Sequence, residues 1–168
     1  MRTYWNVQHI RNGEVIWQEK NIGNTLADAG ARAILDLFWK RDTSNYLFSN
    51  FYVRLTNITP IVTSTLTSLS VGEPLLATGY TAQTVETSSV GFPTSDVASD
   101  GNQQLTSKVV TFTATAGGGG IGPVTYAFIG TTSDNTGILL CYIPLSMSRT
   151  ILAGDSMTYS FSVEEGNS

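Results

Sequence analysis

Polar and apolar residues alternate most cleanly near the C-terminus. Met157, Tyr159, Phe161 and Val163 fall on one side of an extended chain, and Thr158, Ser160 and Ser162 fall on the other. A period of two marks a strand with one buried face. Full burial of one such apolar side chain contributes about 1.5–3 kcal/mol. A slip of one residue would turn all four outward, so the register of this strand is firmly set.

The N-terminus repeats the pattern. Trp5, Val7 and His9 alternate with Tyr4, Asn6, Gln8 and Ile10, and Val15 and Trp17 alternate with Ile16. Between the two runs stands Asn12-Gly13. Asn-Gly suits a type I′ turn, because both central residues need positive φ. A hairpin is predicted over residues 3–20.

Residues 25–41 carry a different period. Leu26, Ala29, Ala33, Ile34, Leu37 and Phe38 recur at helical spacing. Asp28, Arg32, Asp36 and Lys40 step by four along the other face and alternate in sign. Asn24 or Thr25 is placed to cap this helix, with Asp28 at the positive end of its dipole.

Strand patterns resume at residue 50. Phe51, Val53 and Leu55 alternate with Tyr52, Arg54 and Thr56. Further strands are predicted at 80–87, 106–115, 123–132, 137–146 and 156–164. Two long connections interrupt them, at 57–79 and 88–104, and loops of such length are often functional. The first ends in the turn-rich run from Gly72-Glu73-Pro74 to Gly79-Tyr80. The whole predicts one mainly β domain over residues 1–168. Its expected form is an antiparallel, jelly-roll-like β-sandwich with an N-terminal hairpin and one α-helix.

Composition changes this picture in one respect. Charged residues make up only 13% of the chain, about half the usual ~25%, and serine and threonine fill the gap. After Arg54 the basic residues are Lys108 and Arg149 alone. With a net charge of −4 and no basic stripe, nucleic acid is not an expected partner. No apolar run approaches the ~18 residues that a membrane span needs. The first residues lack an apolar signal region, so synthesis in a cytoplasm without export by that route is expected.

The chemistry-bearing residues are sparse. Cys141 is the single cysteine and lies in an apolar run, so it reads as a small buried hydrophobe. His9 is the single histidine, so a Ser-His-Asp triad or a zinc site would have to use it. Residues 117–122 match the dinucleotide-binding pattern G-x-G-x-x-G, but a strand pattern follows where a helix is required. Asp96, Asp100, Gly101 and Asn102 resemble part of a calcium loop, but Ala98 and Ser107 stand at ligand positions. No cofactor, no metal and no enzymatic activity are expected. An aromatic sugar-binding face on a β-sandwich is an alternative, set against core packing of the same rings.

Four segments, taken in order, carry a resemblance. They are Gly13-Glu14-Val15-Ile16-Trp17 with the helix behind it; Phe51-Tyr52-Val53-Arg54-Leu55 with Thr59-Pro60; Gly72-Glu73-Pro74 with Gly79-Tyr80; and the run from Lys108 to Ala114 with Gly122-Pro123-Val124-Thr125. In these the chain resembles small structural proteins of tailed bacteriophages. The resemblance implies a virion protein whose partners are the major capsid protein or other virion proteins. A capsid decoration (cement) protein that stabilises the assembled shell is the first expectation. A tail or tail-fibre component is the alternative. A symmetric homo-oligomer is expected in either case, with a trimer as the simplest guess. Tyr4, Trp5, Tyr46, Phe48, Glu73, Gly118, Gly119 and Gly120 are the expected interface residues. The aromatics would serve as anchors, and the glycines would let a partner's backbone approach closely. On that view, alanine at Gly118 and Gly119 would leave the isolated fold nearly unchanged.

Overall fold

The computed structural model describes residues 2–98 and 101–164. Strands β1 (Arg2–Arg11) and β2 (Glu14–Gly23) form the predicted hairpin, with positive φ at both Asn12 and Gly13. A two-residue strand, β3 (Thr25–Leu26), leads into α1 (Asp28–Trp39). A short helix α2 (Thr43–Tyr46) precedes β4 (Asn50–Thr56). The connection at 57–79 contains α3 (Leu66–Ser70) and a 3-10 turn at Leu76–Thr78. Then come β5 (Gln83–Glu86), β6 (Thr94–Val97), β7 (Gln103–Thr106) and β8 (Val110–Thr113). The chain closes with β9 (Ile121–Gly130), β10 (Leu139–Ile151) and β11 (Asp155–Glu164).

Two antiparallel sheets make the sandwich. One runs β2-β1-β11-β7-β6, with β8 also paired to β11. The other runs β3-β10-β9-β4-β5. Their inner faces meet as alternation requires. Trp5, Val7, Phe112, Met157, Tyr159 and Phe161 come from the first sheet, and Val53, Leu55, Val85, Ala127, Ile129, Cys141 and Ile143 from the second. The predicted period-2 face of β11 therefore lines this core.

The helix departs from expectation at both ends. Thr25 and Leu26 pair with Tyr142 and Cys141 as an edge strand instead of capping. Ala27 takes the cap position without a side-chain bond. The first free donors are satisfied by the fold: Ala27 N–H donates to the Leu140 carbonyl and Asp28 N–H to the Val62 carbonyl. A polar cap is unnecessary where tertiary carbonyls do its work. Gly30 explains how α1 comes so near, since a Cβ there would lie 2.2 Å from the Leu140 carbonyl oxygen.

A second, smaller core covers the outer face of the second sheet. Leu66 and Leu69 of α3 pack with Ala27, Phe128, Leu139 and Tyr142. Thr65 and Ser68 form a capping box that starts this short helix. Under the same cover Arg54 and Thr56, which alternation places on the polar face of β4, are buried.

Candidate partner-binding face

The helix α1 has two apolar stripes. Gly30 and Ala33 are buried against the sandwich. Leu35, Phe38 and Trp39 lie at i, i+3 and i+4, which puts them on one face, and they are 57%, 71% and 84% exposed. Leu47, just beyond α2, is 73% exposed. The expectation that Phe38 packs inward is thus corrected. Asp36, expected on the solvent face, is instead buried, held by Lys40 Nζ at 2.5 Å and Arg32 Nε at 3.5 Å. The hydrogen bond from Lys40 keeps its carboxyl below the ordinary range.

Beside this stripe opens an apolar cleft of about 650 Å³. Ile34, Leu37 and Phe38 of α1 form one wall, Tyr46, Phe48 and Phe92 the other, and Ile129, Cys141 and Phe161 the floor. Its polar lining is Thr3, Thr87, Ser88 and Ser89, and no lining residue is charged. Such a cleft suits apolar groups. Burial pushes the Cys141 thiol up to about 12, so it is not a nucleophile at neutral pH.

The expected interface residues separate into distinct places. Tyr46 and Phe48 do line the cleft, edge to face at 6.3 Å. From Phe48 the rings continue inward through Phe51, Phe92 and Phe161 to Trp5. Trp5 itself is fully buried, so its indole is unavailable to a partner; strand alternation points it into the core. Tyr4, its neighbour, is half-buried on the other face of β1. Glu73 is engaged within the chain, 2.6 Å from Arg54 Nε.

The glycine run is also held by the chain itself. A Cβ on Gly118 would lie 2.7 Å from the Ala77 carbonyl oxygen, and one on Gly120 would lie 2.9 Å from that of Ile151. Gly119 faces open space but has φ of +78°. The expectation that alanine at Gly118 and Gly119 leaves the isolated fold unchanged is therefore corrected. The close backbone approach is internal.

His9 sits in a buried ionic cluster. Its Nε2 lies 3.0 Å from Asp155 Oδ2, and Arg11 donates to both oxygens of the same carboxylate, at 2.9 and 2.8 Å. The His9 Nδ1 is buried without a hydrogen-bond partner, so no hydroxyl is poised against it. Among the described residues no group of three or more His, Cys, Asp or Glu side chains is gathered to hold a metal. Of the calcium-like segment, Asp100 lies outside the described residues, and Asp96 Oδ1 accepts from the Val97 N–H. No helix among the described residues is long and apolar enough to cross a membrane.

Sequence reasoning missed the outer stripe of α1, because Leu35 and Trp39 were not counted with either helix face. The signal was available: apolar residues occupy more of the helix circumference than one packed face needs.

Residues 25–165 match the family described as "Podophage GP4 fiber I protein gp80". No curated protein and no solved structure matches the chain. The match covers most of the chain, from β3 and α1 through β11, and leaves out the β1–β2 hairpin; the chain belongs to this family. It is a structural protein of a tailed-phage virion. The family description names a fibre, which favours the tail-fibre alternative over capsid decoration.

Proposed function

We propose that this member of the podophage fibre family is a structural component of the tail-fibre assembly that joins other virion proteins through the α1 stripe and the apolar cleft. The observation that carries the reading is the family match over residues 25–165. The molecule supports it in two ways. Leu35, Phe38 and Trp39 put three exposed large apolar side chains on one helix, beside a cleft with no charged lining. Contiguous exposed patches beyond a few hundred Å² mark interaction sites on soluble proteins. In this reading the chain acts by binding and performs no chemistry.

Gold-labelled antibody against the chain, imaged on intact particles, tests the assignment. Label confined to the tail supports it. Label spread over the shell would restore capsid decoration and overturn the fibre reading.

A further inference from the structure

The α1 stripe has properties that select its occupant. Leu35, Phe38, Trp39 and Leu47 together expose on the order of 500 Å², given that a covered aromatic alone buries ~150–250 Å². A stable interface buries about 800 Å² per partner, so the stripe with its cleft rim supplies most of one half. The charge around it is balanced. Asp28, Arg32, Asp36, Lys40, Arg41 and Asp42 give three acids and three bases, whereas the whole chain carries −4. Asp36 is already neutralised inside its own helix by Lys40 and Arg32. A like surface can therefore meet this one without net repulsion.

We propose that the occupant is a second copy of the chain, packed with α1 antiparallel to its counterpart about a local two-fold axis. An axis near residue 37 sets Leu35 against the second copy's Trp39. Apolar contacts then fill the centre and the polar flank of α1 forms the rim, as interfaces are commonly built. Antiparallel packing also opposes the two helix dipoles favourably. The proposal deepens the fibre reading, on which it rests for placing copies side by side.

Sedimentation of the full chain over a range of concentrations tests it. Trp39 supplies a second readout, because Trp5 is buried and Trp39 is 84% exposed. Dimers are expected, with Trp emission moving to the blue as concentration rises. Phe38→Ser with Trp39→Ser should weaken self-association at least tenfold while the thermal midpoint stays near wild type. A chain that stays monomeric at all concentrations, or association untouched by the serine pair, would each overturn the proposal. These results are read in solution, so they stand apart from the labelling of particles that decides the fibre reading.

Discussion

Arg54 and Glu73 meet at 2.6 Å across two segments that would otherwise part. Arg54 belongs to β4, and Glu73 to the connection that follows α3. The guanidinium is 2% exposed and has no idle face. Its Nη1 donates to the Asp134 carbonyl and its Nη2 to Asn135 Oδ1, and the group lies over the Phe128 ring. One cation therefore fastens the 57–79 connection and the 131–138 loop to the outer face of the second sheet. Burial pushes the Glu73 carboxyl up, against the pull of the Arg54 hydrogen bond. Tyr80 completes the corner, its hydroxyl oxygen accepting the Leu55 N–H at 3.0 Å.

Glu73→Ala should be strongly destabilising. It leaves a buried guanidinium without its counter-charge, a loss of about 3–5 kcal/mol in comparable pairs. Arg54→Met combined with Glu73→Leu removes both charges and should recover most of that loss. Urea unfolding of the two variants beside the parent chain checks this. Equal losses in the single and double variants would show that the pair is not coupled.

Acid should also weaken the Asp155 cluster. The Arg11 hydrogen bonds, reinforced by His9, hold the Asp155 carboxyl at about 2, below its ordinary 3.8. A depressed folded value means that the contribution to stability is complete above the unfolded value and disappears as pH falls through the folded one. The loss is therefore expected between the ordinary 3.8 and about 2. Asp36, Glu86 and Asp134 are depressed too and add a common background. Asp155→Asn should be less stable at neutral pH and should lose less on acidification across that window. Parallel pH profiles of the urea midpoint in the two proteins would refute the assignment.

The sandwich was legible because it obeys local rules. Asn12-Gly13 demanded a tight hairpin, and the apolar set of β11 allowed only one register. The sequence reading failed where a segment's partner is distant in sequence. Arg54 looks like a surface residue of a half-buried strand, and only the cover from α3 and the 131–138 loop makes it interior. Nothing near Thr25 shows that its backbone will pair with Tyr142 and leave Ala27 to begin the helix. Tyr46 and Phe48 could be named as contact residues, but their cleft exists only once α1 lies across the open side of the sandwich. Trp5 shows the opposite error, since its place in a clean alternating run already marked it for the core.

The glycine run offers the sharpest test of where close approach is needed. Gly118 and Gly119 are neighbours with opposite constraints. At Gly118 the obstacle is space, because a Cβ would lie 2.7 Å from the Ala77 carbonyl oxygen and 2.8 Å from the Thr78 Cα. Both obstacles are backbone and cannot swing aside. The two segments are also joined by the Thr115 N–H, which donates to the Thr78 carbonyl at 2.9 Å. At Gly119 nothing lies within 4 Å, and the constraint is φ of +78°. An L-residue held there loses roughly 1–2 kcal/mol. Gly119→Ala should therefore lower stability by about that amount and leave the loop in place. Gly118→Ala should force the 116–120 segment off residues 77 and 78. Hydrogen exchange separates the two outcomes. The Thr115 amide should lose protection in Gly118→Ala and keep it in Gly119→Ala, apart from the change in global stability. Equal protection in both variants would show that the run is not braced on the 3-10 turn.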